Sequence, residues 1–251
     1  MTKHCVLIAI FSLGLSTTIV ARTDEKKPSV GNPCMQALAY FEKTQGSKLD
    51  DYVRRIRPVG ASTAFRAQVI ANLPKEGGVQ PSPKGRAKLA ALGPILAYHD
   101  RGSAMDIRVF RAGQAFVGLH ARSVLLISEE ALELLTAEEL QASVAHEIGH
   151  DYFWREYQLA EEQGRYRDMQ EIELRCDGIA IVTLHRLGLD PSRMISTVTR
   201  MMKFNERIGT LDKKDVYTSL EDRRIFNRAM IELVNSNGAA ATDLANACTV
   251  K

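Results

Sequence analysis

The sequence has no G-x-G-x-x-G stretch, no G-x-x-x-x-G-K-[ST] phosphate loop, no Cys-x-x-Cys pair and no interleaving of basic with aromatic residues. Nothing in it recommends a nucleotide-binding or nucleic-acid-binding reading. An excess of one charge is missing too: a net charge of +3 at pH 7 supplies no strong attraction to nucleic acid or membrane surfaces. Past the N-terminal region no apolar run approaches the about 20 residues that a membrane-spanning helix needs. No internal repeat stands out. What remains is the make-up of an ordinary soluble enzyme: 251 residues, 45% hydrophobic and 25% charged, enough for one domain, or a domain with an extension, and a real core.

Histidine is scarce, six in the whole chain, yet two of the six fall four apart in His146-Glu147-Ile148-Gly149-His150. On a helix, residues four apart lie on one face, so both imidazoles can meet one metal ion, with Glu147 one residue round from the first. The surroundings predict that helix. Thr136-Ala137-Glu138-Glu139 has the form of a capping box with its N-cap at Thr136. Leu140, Val144 and Ile148 then recur at four-residue spacing as an apolar stripe. Two neutral imidazoles suit Zn²⁺, and a carboxylate beside them can take a proton from a zinc-bound water, which is the logic of the metalloprotease H-E-x-x-H pattern. The competing reading is a surface histidine pair without metal.

A zinc protease needs a third protein ligand and one open position. Glu171-Ile172-Glu173-Leu174-Arg175-Cys176-Asp177-Gly178 opens a second helical pattern that runs on to Gly188, with Asp190-Pro191 beyond it. Glu173 and Asp177 share a face of that helix. By themselves they also fit a solvated face. Behind an H-E-x-x-H helix, Glu173 is the expected third ligand, and Asp177 the carboxylate that accepts a hydrogen bond from the other nitrogen of a metal-bound imidazole.

Taken together, H-E-I-G-H followed by E-L-R-C-D resembles the gluzincin pattern H-E-x-x-H…E-x-x-A-D of the M48 family of metallopeptidases, particularly its compact soluble members. The resemblance covers about residues 105 to 227. It implies an α+β, mainly helical zincin-like fold with a short three- to four-stranded sheet beside the H-E-x-x-H helix. It also implies one Zn²⁺ held by His146, His150 and Glu173, with Glu147 as catalytic base and Asp177 orienting a histidine. Cys176 stands where the family usually has alanine, and a buried free thiol behaves as a small hydrophobe. The family places an N-A-F segment on an edge strand above the metal, where this chain has Gln114-Ala115-Phe116. The resemblance thus assigns Ala115 and Phe116 to substrate binding through β-augmentation. His120, just after that strand, is a further candidate for touching substrate. Where the family has His-Pro and then Arg, this chain has Tyr217-Thr218 and Arg223. Tyr217, in place of the family histidine, or Arg223 is the expected helper in stabilising the oxyanion; Arg223 is otherwise either a structural ion-pair partner or a substrate contact.

The N-terminus has the form of a secretory signal peptide. Lys3 and His4 precede an apolar run from Cys5 to about Leu15, and Ile19-Val20-Ala21 offers a cleavage site before Arg22, with an uncleaved anchor as the alternative. Residues 1–21 are therefore expected to be the signal, 22–33 a flexible lead-in and 34–251 the catalytic domain of a periplasmic or extracellular protein. Export favours disulfides. Of the three cysteines then left, Cys34 and Cys248 lie near the two chain ends, which are often close in compact domains, and are expected to pair. Cys176 is expected to stay free.

Strands are predicted over Asp106–Phe110, Ala115–Leu119 and Val124–Ile127. Helices are predicted over Cys34–Lys43, Leu49–Ile56, residues 84–99 with a break at Gly93-Pro94, Pro191–Asn205, Leu220–Asn235 and the tail from Ala239. Pro58–Leu73 is ambiguous and Pro74–Pro83 reads as a loop. His99 is expected to end a helix, where a cation suits the dipole, and His185 to be packed or partly exposed. Trp154 and Tyr157 are expected in the core or the cleft wall. The function this predicts is zinc-dependent hydrolysis of a polypeptide substrate. A rival reading keeps the fold but gives zinc a structural role, in a secreted chaperone-like or binding protein.

Overall fold

A computed structural model of the chain describes residues 31–45, 49–74, 77–210 and 218–249. The expected signal peptide and most of the lead-in lie outside the described residues, as does Tyr217. In chain order the elements are α1 (Pro33–Gln45), α2 (Leu49–Ile56), α3 (Thr63–Asn72), α4 (Pro83–Ala90), α5 (Gly93–Tyr98), β1 (Asp106–Phe110), β2 (Val117–His120) and β3 (Val124–Ser128). Then follow α6 (Glu129–Leu134), α7 (Ala137–Tyr152), α8 (Trp154–Glu162), α9 (Tyr166–Arg186), α10 (Arg193–Arg207), α11 (Leu220–Asn235) and α12 (Ala241–Thr249). The described chain is mainly helical with one small three-stranded sheet.

The capping box starts α7 as the sequence predicts. Thr136 Oγ1 accepts from the Glu139 N–H at 3.2 Å and the Glu139 carboxylate accepts from the Thr136 N–H at 2.8 Å. From this fixed start the apolar stripe Leu140, Val144 and Ile148 is wholly buried. The main partner of α7 is α9, and the two helices touch where Gly149 faces Cys176. A Cβ on Gly149 would stand 2.8 Å from the Cys176 Cα, closer than any side chain tolerates, so glycine permits the approach. The other end of α9 is closed by Gly188 at φ +68, with Leu189 N–H donating to the Leu184 carbonyl at 2.9 Å; this is the left-handed terminus that glycine makes inexpensive.

The sheet order is β1-β3-β2, with β1 parallel and β2 antiparallel to the central, buried β3. Gly77 and Val79 bond to the outer side of β1 (Arg111 N–H to Gly77 O and Val79 N–H to Val109 O, both 3.0 Å). The remaining edge is β2, which packs over α7. The turn from β2 to β3 places Ala121 and Arg122 at φ 47 and 57, a left-handed conformation costing roughly 1–2 kcal/mol per non-glycine residue. Tertiary contacts hold it. Arg122 Nε donates to Oδ1 of the buried Asp151 at 2.6 Å, and its guanidinium lies 4.8 Å from the Trp154 ring centroid. Asp151 follows His150 directly, so one ion pair ties the hairpin to α7. Arg101 completes the buried cluster by donating twice to Asp151 Oδ2, at 2.9 and 2.7 Å.

Two expectations are corrected, and three helices are added. The second strand begins at Val117, not Ala115, because side chains take over the hydrogen bonds of the preceding residues: Asn205 bonds Ala115, and Ser128 Oγ accepts the Phe116 N–H at 2.9 Å. Two short helices, α6 and α8, were not foreseen, and Pro58–Leu73 contains α3. Finally, His99 does end a helix, as the C-cap residue of α5, but not as a cation. It is fully buried, its imidazole bridges Tyr152 Oη at 3.0 Å and Thr183 Oγ1 at 2.9 Å, and burial pushes its pKa down to about 3.

Candidate metal centre

Helix α7 supplies His146, Glu147 and His150, and α9 supplies Glu173 and Asp177. Donor atoms of His146, Glu147 and His150 lie within 4.8 Å of one another, a group that can hold a metal ion. Glu173 makes a tighter set with the two histidines. His146 Nε2 and His150 Nε2 are 3.3 Å apart, His146 Nε2 lies 3.5 Å from Glu173 Oε2, and His150 Nε2 lies 3.4 Å from Glu173 Oε1. Two imidazole nitrogens and a carboxylate thus converge on one point between the helices. Glu147 takes a different direction: its Oε2 accepts the backbone N–H of Leu119, on β2, at 3.0 Å.

The tautomer of His146 follows from its other nitrogen. Nδ1 sits 2.8 Å from Oδ1 of Asp177, a wholly buried carboxylate. The proton therefore belongs on Nδ1, and the Nε2 lone pair faces the cluster. Arg223, from the first turn of α11, donates to Asp177 through both Nε (2.9 Å to Oδ2) and Nη2, and its Nη1 stands 3.9 Å from Glu173 Oε2. Of the roles open to Arg223, it occupies that of ion-pair partner, holding the carboxylate that holds the imidazole.

Charge balance decides the ionisation states. Burial alone would raise the Asp177 pKa, but Arg223 and the hydrogen bond to His146 outweigh it and keep the carboxyl below the usual range. Burial likewise works against Glu173, which His150, His146 and Arg223 nevertheless keep ionised. Burial pushes His146 down, yet its bonds to Asp177 and Glu173 hold it up, at about 9. A proton there competes with a metal ion for the same lone pair. Glu147 is different: desolvation dominates the attraction of His150 and His146 and raises its pKa, the direction that suits a proton acceptor working near neutrality.

His150 is the most open member, its side chain 22% exposed against 8% for His146 and 7% for Glu173, so solvent reaches the cluster from its side. Tyr157 stands edge-on to the His150 ring, centroids 5.5 Å apart. Trp154 is half-buried under the Arg122 guanidinium.

Six expected site residues, His146, Glu147, His150, Glu173, Asp177 and Arg223, come together. Ala115 joins the edge-strand region through its backbone and Asn205. Phe116 lies elsewhere: its ring folds over Gly118 and meets Phe110 at a centroid distance of 6.0 Å. Strand alternation puts the exposed His120 on that same face. Cys34 and Cys248 form a disulfide, and Cys176 is a buried free thiol. Sequence reasoning missed the Glu147–Leu119 bond, the Arg101–Asp151–Arg122 cluster and Asn205. All three join residues far apart in the chain and leave no periodic or motif signal.

No protein-family model and no curated protein matches this chain. Its functional reading therefore rests on its own residues.

Proposed function

We propose that this chain is a zinc-dependent endopeptidase of the gluzincin kind, with a zincin-like fold similar to that of the compact soluble M48 metallopeptidases. The observation that carries the reading is the convergence of His146 Nε2, His150 Nε2 and the Glu173 carboxylate: the two nitrogens stand 3.3 Å apart, and each faces its own carboxylate oxygen, Oε2 at 3.5 Å from His146 and Oε1 at 3.4 Å from His150. Two ligands at about 2.0–2.1 Å from a tetrahedral zinc stand about 3.3–3.4 Å from one another, and the spacing of the two nitrogens, and of each nitrogen from its nearest carboxylate oxygen, is of that size. Three protein donors leave the fourth position to water, whereas a structural zinc closes it with a fourth protein ligand. Zinc held there supplies an acidified water and polarises a peptide carbonyl.

The residues of the chain supply the rest. Glu147, one position from His146 and raised in pKa by burial, accepts the proton of the attacking water and passes it to the leaving amine. Asp177 fixes the His146 ring so that Nε2 remains a donor to the metal. Arg223 keeps Asp177 ionised in a buried setting. The short free stretch of the β2 edge beside Glu147, at Val117, offers main-chain hydrogen bonds to an extended polypeptide without regard to its sequence. The reading includes export, supported by the signal-like residues 1–21 and by the Cys34–Cys248 disulfide, a bond that persists in oxidising compartments. No helix among the described residues is long and apolar enough to cross a membrane.

The test is metal analysis of the purified protein together with peptide-library cleavage. The expected result is one zinc per chain in wild type and in Glu147→Gln, hydrolysis in wild type alone, and its loss with chelator. His146→Ala loses both zinc and hydrolysis. Near wild-type cleavage by Glu147→Gln, or a zinc-loaded wild type that cleaves nothing, overturns the proposal.

A further inference from the structure

Asn205 lies in the last turn of α10, 90 residues from Ala115 in sequence, and bonds it twice. Its Oδ1 accepts the Ala115 N–H at 2.8 Å, and its Nδ2 donates to the Ala115 carbonyl at 2.9 Å. This reciprocal exchange is what a residue of a neighbouring strand makes at a hydrogen-bonded position of an antiparallel pair. The asparagine amide thus stands in for one residue of an added strand.

The phase of β2 shows which groups are at stake. The carbonyls of Phe116 and His120 accept from Ser128 and Ser123 at 2.8 and 3.0 Å, so residues 116, 118 and 120 bond inward to β3. Alternation turns the backbone of Ala115, Val117 and Leu119 to the open edge. Ala115 is taken by Asn205, and the Leu119 N–H by Glu147. Among the described residues, the outward N–H and C=O of Val117 have no hydrogen-bond partner. The open edge therefore comprises the N–H and C=O of Val117 and the C=O of Leu119, bounded on one side by the carboxylate next to the metal ligands and on the other by Asn205.

We infer that Asn205 is a specificity-determining residue that ends the peptide-binding edge at Ala115. An extended polypeptide can pair with Val117, but it must leave the strand before Ala115. Residues added to the substrate on that side of the cleavage point gain no main-chain hydrogen bonds. The enzyme would then select chains that end or turn away there, without a pocket for any particular side chain. This inference rests on the peptidase reading of the site for its substrate class, but its geometry stands on Ala115 and Asn205 alone.

The experiment uses zinc-loaded Glu147→Gln, which holds peptides without turning them over, and the same protein carrying Asn205→Ala or Asn205→Asp. Fluorescein-labelled random-sequence peptide pools of fixed, increasing length are titrated by anisotropy, while hydrogen exchange follows the Ala115 amide. With Asn205 present, affinity should level off at short lengths. With Asn205→Ala, longer pools should gain about tenfold, the worth of two recovered hydrogen bonds, and the Ala115 amide should exchange faster. Asn205→Asp keeps an acceptor for the Ala115 N–H but has no donor for its carbonyl, so it should fall between. Identical length profiles in all three proteins, or no peptide binding in any, overturns the inference. A parallel cleavage assay separates the two ideas. Wild-type hydrolysis with an unchanged length profile in Asn205→Ala sinks the role of Asn205 alone; a changed profile without wild-type hydrolysis sinks the peptidase reading alone.

Discussion

Gly149 of α7 lies so close to Cys176 of α9 that a Cβ on the glycine would stand 2.8 Å from the cysteine Cα and 2.9 Å from its Cβ. The contact sits in the middle of the donor set: Gly149 immediately precedes His150, and Cys176 lies between Glu173 and Asp177. The separation of the two helices at this point sets how near the histidines stand to Glu173.

Gly149→Ala is therefore expected to push α7 and α9 apart, costing roughly 1–3 kcal/mol in overpacking and opening the donor set. Zinc titration should show weaker binding, and thermal unfolding with and without zinc should show a smaller metal-induced gain. Because the nearest atom is backbone, Cys176→Ala should not rescue Gly149→Ala. A double variant that recovers wild-type zinc affinity would contradict this account.

Arg223 reaches the site only through Asp177, and the chain Arg223–Asp177–His146 makes a graded prediction. Asp177→Asn keeps the shape but offers a weaker acceptor to the His146 Nδ1–H. Metal affinity should fall about 10–100-fold, the usual loss when a carboxylate behind a metal-bound imidazole is replaced. Arg223→Ala leaves Asp177 buried without its cation, an arrangement that typically costs 3–5 kcal/mol. Chemical denaturation should find Arg223→Ala the less stable of the two. If Arg223→Ala keeps both stability and zinc affinity, its contact with Asp177 is incidental.

The centre was legible because its signals are local. Four-residue spacing puts His146 with His150 and Glu173 with Asp177, and the Thr136–Glu139 capping box fixes where the first helix starts. Each is a property of one helix, readable without knowing the fold. The edge strand was misjudged by two residues for the opposite reason. Ala115 reads as strand, but the partner of its backbone is a side chain 90 residues downstream. The hairpin at Ala121-Arg122 lacks the Asn-Gly expected of such a turn and is held by Asp151, which sequence alone does not point to. Helix α6 has six residues, too short for periodicity to stand out, and α8 follows α7 after the single residue Phe153, with no turn signal between them. His99 looked like a terminal cation because its neighbours Tyr152 and Thr183 come from α7 and α9.

That buried His99 makes stability fall in acid. Its ordinary pKa is about 6.5, and burial holds it at about 3 in the folded protein. Between those values the unfolded chain binds a proton that the folded chain refuses, so stability is complete above about pH 6.5 and drains as pH falls toward 3. The full loss is on the order of 4–5 kcal/mol. His146 and the carboxylates around it also respond to acid, so the measurement is a difference: urea unfolding of wild type and His99→Gln from neutral pH to pH 4 in chelator. The variant should start less stable and lose less. Parallel pH profiles would show that His99 is not the acid-sensitive group.

The last prediction concerns the disulfide, which closes 214 residues between α1 and α12. In the chain-entropy view, cross-linking so long a loop stabilises by about 5 kcal/mol, and removing a native disulfide costs about 2–5 kcal/mol in practice. The bond joins α1 to α12, neither of which carries a residue of the donor set. Reduction, or Cys34→Ser with Cys248→Ser, should therefore lower the melting temperature without changing zinc stoichiometry. Cys176 supplies the internal control. It is fully buried, with its thiol pKa pushed up by desolvation and by Glu173 and Asp177, so it should not react with a thiol reagent in the native protein. The native protein, oxidised or reduced, should show no reaction at Cys176, and unfolding should reveal it. Reaction of Cys176 before unfolding would mean that α7 and α9 part readily at Gly149, and that the metal-binding geometry is not built into the fold.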